Sequence, residues 1–271
     1  MDNHVPAITC SAQEMIFLAS SLGADTLLGI ADPFVGWLTE EIEETKELVQ
    51  ATLAERNFVA IQPDDEIVMD VAVAALVGTC AFPDASFVVT FTPADGEATT
   101  RYLHVTERLA VEQTAMPEPV ATYRLTALEN GQAAYGRILE IFGLNGQRAV
   151  SSPGGELPEA ALIQAREAAA KTEREKAREV LEKAGLSNDV AAALAETLSN
   201  PVANGALVAL AHQETAWDVS GAGILEGQNG LWRLRPFTRE GENWVELIPC
   251  DADEARESIR RVMNRVLPER I

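Results

Sequence analysis

The sequence predicts an α+β fold made of two related halves, and three observations lead there. A run of alternating segments (Ser86–Pro93, Glu97–Val105, Arg108–Gln113, Val120–Leu128) ends in a polar link and an apolar-periodic helix, Gln132–Phe142. The same plan returns as Ala206–His212, Trp217–Glu226, Leu231–Phe237 and Trp244–Pro249, followed by the helix Asp253–Leu267. The junctions also correspond, since Tyr123-Arg-Leu-Thr-Ala-Leu-Glu-Asn-Gly aligns with Val245-Glu-Leu-Ile-Pro-Cys-Asp-Ala-Asp. One long period of this kind indicates a pseudo-twofold pair of halves, each an antiparallel sheet followed by a helix, and not a solenoid.

Before the first sheet, Ile8-Thr-Cys is a short apolar start, and Ser11-Ala-Gln-Glu14 has capping-box spacing. In such a box a hydroxyl and a carboxylate satisfy free amide donors reciprocally, so a helix begins there, with Met15, Leu18 and Leu22 on its apolar face and Gly23 at its end. Thr39 is placed to cap a second helix running to about Arg56, with Ile42, Leu48, Val49 and Leu53 on one side. Two short strands, Phe58–Ile61 and Ile67–Met69, flank a turn at Pro63-Asp-Asp. Asp70–Cys80 is a small apolar helix stopped at Phe82-Pro83, because proline disfavours helix in the residue before it. Helices followed by a strand pair have a winged-helix-like outline.

Gly143–Pro158 is rich in Gly, Ser, Asn and Pro without apolar periodicity and reads as a linker, dividing the chain into an N-terminal half 1–143, a linker 144–158 and a C-terminal half 159–271. From Glu159 to Ala184 alanine, glutamate, lysine and arginine dominate, which favours one long helix. A second helix, capped by Ser187, carries the stripe Val190, Leu194 and Leu198 and is closed by Asn200-Pro201. Together these form a helical pair between the two sheets. Leu181, Val190, Leu194 and Leu198 either pack against the sheet or offer a docking surface for a partner.

Charge restricts the functions available. The chain of 271 residues has 42 acidic and 21 basic residues, a net charge of −21. Such a surface repels nucleic acid and anionic membranes. The second helix answers the winged-helix hypothesis directly, since Glu40, Glu41, Glu43, Glu44, Glu47 and Glu55 stand where a DNA reader needs arginine and lysine. No segment approaches the roughly 20 apolar residues of a membrane span, and the N-terminus lacks the basic flank of a signal peptide, which together lead us to expect a cytoplasmic protein.

Motifs for chemistry are absent. Cys10, Cys80 and Cys250 are odd in number and sit among apolar residues, as buried thiols do. His4, His104 and His212 have no second ligand at metal-binding spacing. The glycines of the linker do not form a phosphate loop, because Glu156 stands where lysine and a hydroxyl belong. No cofactor is expected. An enzyme with a site assembled from distant groups, such as Glu112, Asp218 and His104, stays open as an alternative. Trp217, Trp232 and Trp244 lie in or beside strands of the second sheet, either as core or as a partner-binding aromatic patch.

The order of elements in the second half, through Leu207-Val-Ala-Leu-Ala, Gly221-Ala-Gly-Ile-Leu, Leu231-Trp-Arg-Leu, Trp244-Val-Glu-Leu-Ile-Pro and Asp253-Glu-Ala-Arg, resembles the end of the EspG family. The first half is similar in its capped helix, wing-like strands and small helix Val71–Val77. EspG proteins are cytosolic chaperones of type VII (ESX) secretion. The resemblance implies a non-enzymatic chaperone or adaptor for a helical partner or secretion substrate of the PE–PPE type.

Overall fold

A computed structural model describes residues 6–63, 66–116, 122–212, 217–267 and 271, without the side chains of His212 and Trp217. His4, the turn residues Asp64 and Asp65, the start of the strand expected from Val120, and Gln213 and Glu214 lie outside the described residues.

The first half runs β1 (Ala7–Ser11), α1 (Ala12–Ser21), α2 (Thr39–Glu55), the hairpin β2 (Val59–Ile61) and β3 (Ile67–Met69), α3 (Val71–Ala81), the meander β4 (Ala85–Pro93), β5 (Thr99–Val105), β6 (Ala110–Met116), β7 (Thr122–Leu128), and α4 (Gly131–Phe142). The second half runs β8 (Gly155–Pro158), α5 (Glu159–Ala170), α6 (Arg174–Lys183), α7 (Asn188–Ser199), the meander β9 (Pro201–His212), β10 (Trp217–Gly227), β11 (Gly230–Arg239), β12 (Glu242–Cys250), and α8 (Ala252–Asn264).

Each half is thus an edge strand, helices, a four-stranded meander and a closing helix. The two meanders join through antiparallel pairing of β4 with β9 into one sheet of ten strands, in the order β1-β7-β6-β5-β4-β9-β10-β11-β12-β8. Read inward from either edge, the order of parts is the same.

Local chemistry explains where the helices begin. The Ser11 hydroxyl accepts from the Glu14 amide at 3.1 Å and the Glu14 carboxylate accepts from the Ser11 amide at 2.7 Å, as expected for a capping box. Asp251 and Glu254 repeat the arrangement at α8. Asp70 and Asn130 cap α3 and α4 through their side chains. Gly143, with φ +59°, ends α4 in the left-handed conformation that side chains disfavour.

Four expectations need correction. Thr39 is the first helical residue of α2 and not its cap; Leu38 is the cap, and its amide is satisfied by the Glu41 carboxylate at 2.9 Å. Leu48 is exposed, and only Val49 and Leu53 of the expected stripe are buried, because α1 and β2 meet only one side of α2. The long helix Glu159–Ala184 is two helices, broken where Thr172 turns left-handed at φ +61°. A straight helix would leave the Lys171–Lys176 stretch without apolar contacts, whereas folding back buries Ala177 and Leu181 against α5 and α7. The helical pair is therefore a three-helix unit. Finally, the stretch read as a linker is held down: Leu144 and Val150 are buried and Gly155–Pro158 pairs with β12 as an edge strand.

Three cores divide the apolar side chains. On one face of the sheet α4 and α8 cover its centre, with Ile138 and Ile259 over Phe87, Val89, Leu103 and Leu207. On the opposite face α1–α3 pack over β1, β6 and β7, burying Leu18, Leu53 and Leu76 against Val111 and Leu125. At the other end of that face α5–α7 bury Leu181 and Leu194 against Leu157, Trp232 and Leu247.

Candidate partner-binding groove

On the face carrying α1–α3 and α5–α7, the two helical groups stop short of each other and leave the central strands open. The opening is a groove of about 550 Å³. Its floor comes from Thr90 of β4, Ala206 and Val208 of β9, and Gly221 and Gly223 of β10. Its wall is α5, through Leu162, Ile163 and Arg166, with Leu198 of α7 behind. The floor is flat for a packing reason: a Cβ on Gly223 would stand 3.0 Å from the Leu234 Cβ, tighter than ordinary contact. Ile163 is half exposed, at 50%, beside the buried Leu162 on a helix otherwise built of alanine and polar residues.

Beyond β4 on the same face, the segment between α1 and α2 lies over β5 and β6. Val208 pairs with Val88, which pairs with Tyr102, so these three side chains form one row across the open face. Gly29, at φ +78°, lies flat on the Tyr102 ring, where any Cβ would be 2.4 Å from the ring carbons. The Gln113 amide donates to the Leu28 carbonyl at 3.0 Å and pins the segment down. Leu28, Val35, Trp37 and Leu38 then face solvent, with Trp37 edge-on to Phe34.

The side chains singled out in the sequence fall on both sides of the line between core and surface. Leu181, Val190 and Leu194 are sealed in the core under α5–α7, while Leu198 lies at its margin and lines the groove. Ile163 was missed, and the signal available was slight: one large apolar residue beside the Leu162, Ala165, Ala169 stripe. Trp232 is fully buried with its indole N–H donating to Thr197 Oγ1 at 3.1 Å. Trp244 stacks under the Arg239 guanidinium, 4.4 Å from the ring centre.

His104, Glu112 and Asp218 do not converge. Leu103 and Glu112 are directly paired, so Glu112 points to the α4 face and His104, one residue on, to the other. The His104 ring is fully buried, with Nδ1 2.9 Å from the Ser86 hydroxyl. Burial pushes its pKa down to about 4, only partly opposed by Gln113. Glu112 instead binds Arg101 at 2.6 Å and Arg137 at 2.9 Å, beside an open concavity of about 1200 Å³ between α4 and the first edge of the sheet. Asp218 is exposed at the start of β10.

The three cysteines are free and buried, and burial pushes the thiols of Cys10 and Cys250 up to about 12. Among the described residues no group of three His, Cys, Asp or Glu side chains is placed to hold a metal ion. No helix among them is long and apolar enough to cross a membrane.

No protein-family model and no curated protein matches the sequence. Among solved structures the chain matches EspG5, a type VII secretion system chaperone of Mycobacterium tuberculosis solved in complex with a PE25–PPE41 dimer. The match covers 98% of both chains at a TM-score of 0.64, with 16% sequence identity. The chain has the EspG-like fold. Identity this low carries the path of the EspG-like backbone and none of its side-chain contacts, so the groove is defined by the residues of this chain alone.

Proposed function

We propose that this chain is a non-enzymatic chaperone or adaptor that holds a helical protein partner, such as a secretion substrate of PE–PPE type, in the groove between α5–α7 and the Leu28–Gly29 segment. One observation carries the reading: a bare, largely apolar stretch of sheet at the centre of an EspG-like fold, with Ile163 standing half exposed over it. From Val208 to Tyr102 is two inter-strand steps, about 10 Å, which matches the diameter of one helix with its side chains. An amphipathic helix laid there covers the valines of the floor and Ile163 with its own apolar face. The likeness to EspG5, solved with PE25–PPE41, supports the kind of partner. The acidic balance of the chain, −21, disfavours nucleic acid as the occupant.

The test is co-expression with pairs of small helical secreted proteins of PE–PPE type, followed by purification of the complex and titration. Ile163→Glu buries a charge in the interface and is expected to weaken the complex by on the order of 2 kcal/mol or more, while leaving the unfolding free energy within about 0.5 kcal/mol of the parent. A well-folded chain that forms no complex with such pairs, or a complex indifferent to both Ile163→Glu and Val208→Glu, would overturn the reading.

A further inference from the structure

Strands β10 and β11 pair only from Gly223↔Leu234 to Gly227↔Gly230. Beyond that point β10 stays with β9 as far as Trp217, and β11 stays with β12 as far as Arg239. The sheet is therefore split, and each inner edge presents backbone amides and carbonyls that have no strand partner among the described residues. A cleft of about 680 Å³ occupies the split.

The two sides of this cleft differ sharply in character. On the α8 side lie Arg233 and Arg235 of β11, Arg261 of α8 and Arg265 just past its end, and no Asp or Glu is among the described residues that line it. That is 4 of the 21 basic residues of a chain with 42 acidic ones. Arg235 meets Glu246 and Arg261 meets Glu257, at the margins. Among the described residues Arg233 and Arg265 have no carboxylate partner; the buried Nε of Arg233 has no hydrogen-bond acceptor, and Arg265 reaches only the Ser220 hydroxyl, at 3.4 Å. On the other side the lining is apolar: Val208, Val219, Leu234 and Pro236, with Val219 60% exposed.

We infer that the split is a second binding site, which takes an extended segment of a partner protein as an added strand whose residues alternate acidic and apolar. Successive side chains of a strand point to opposite faces, so alternation delivers every carboxylate to the arginines and every apolar side chain to Val208, Val219 and Leu234. The inner edges of β10 and β11 supply backbone pairing, and guanidinium forks hold carboxylates in bidentate geometry. The cleft shares Val208, Gly221, Leu234 and Pro236 with the groove, so the added strand and a helix in the groove would lie side by side on this part of the sheet, and Ile163, which lines the groove alone, tells them apart.

The probe is a fluorescein-labelled, acetylated peptide, Val-Glu-Val-Glu-Val-Glu, titrated by anisotropy against the full chain. Saturable binding is expected, weakening with salt, and the double variant Arg233→Glu, Arg265→Glu should weaken it at least tenfold. Three controls define the alternatives: a Val-Val-Val-Glu-Glu-Glu peptide of the same composition, six consecutive glutamates, and the alternating peptide methylated on alternate backbone nitrogens. All three should bind at least tenfold more weakly. Hydrogen exchange at Val219, Gly221 and Thr238, whose amides face the split, should slow on binding the alternating peptide, a readout that requires no variant. No binding by the parent chain, equal binding of any control, or unchanged exchange at those amides overturns the proposal. Loss of partner binding in Ile163→Glu with the peptide still bound would separate the two sites.

Discussion

Beside α4, in the first half, Arg101 and Arg137 converge on the buried carboxylate of Glu112, which also holds the Arg137 guanidinium above its ordinary pKa. Beside α8, in the second half, Arg233 and Arg265 line a cleft without any such carboxylate among the described residues. The parts are equivalent in the order of the sheet, so the order of strands is not the cause of the difference. Where the carboxylate is supplied from within, the arginines are committed to holding a strand and a helix together. Where it is missing, the strands have also separated, and both the charges and the backbone edges are left for something else.

The largest effect should show that this difference lies on top of one cooperative unit. Trp232→Ala in the second half removes a fully buried indole and its bond to Thr197, at a cost of about 3–5 kcal/mol. Leu125→Ala in the first half should cost about 2–5 kcal/mol. Because β4 and β9 join the halves, urea unfolding of each variant should remain a single transition; two separated transitions would make the halves independent.

Next in size is a pH effect confined to the first half. His104 is neutral in the fold, with its pKa lowered to about 4 from 6.5. Between those values the unfolded chain binds the extra proton, so stability is complete above pH 6.5 and falls as pH drops towards 4. The loss contributed by this one group is roughly 3 kcal/mol. In His104→Gln the slope of unfolding free energy against pH should flatten across that window. An unchanged slope would place the acid sensitivity elsewhere.

The smallest effect addresses the arginines themselves. Glu112→Gln leaves two guanidinia facing a neutral amide; both are about one-third exposed, so the cost is reduced to about 1–3 kcal/mol. Arg233→Met should leave stability unchanged or slightly raised, since it removes a charge that no carboxylate among the described residues answers. Chemical denaturation of the two variants side by side checks the contrast, and equal losses would remove it.

Much of the element order was legible because strands and helices announce themselves by period. The meander of the first half, the small helix ended before Pro83, and the capping boxes at Ser11 and Asp251 all follow from spacing of a few residues. The break at Thr172 did not, because nothing local forbids a helix through Lys171–Lys176; only the position of α7 makes folding back the better burial. The attachment of β8 was hidden for a related reason, since four residues pair only because the edge of β12 is waiting for them. The groove was partly legible through Leu198, while Leu181, Val190 and Leu194 showed the period of a stripe without showing what would cover it.

By itself the sequence determined the duplicated plan, the acidic surface and the neutral burial of its thiols, since all of these depend on short-range pattern or on summed charge. Tertiary structure decided that the two meanders share one sheet, that α5–α7 leave a groove, and that β10 and β11 part. Each of those depends on which distant edges meet, and hydrophobic periodicity is the same for an edge that finds a partner and for one that does not.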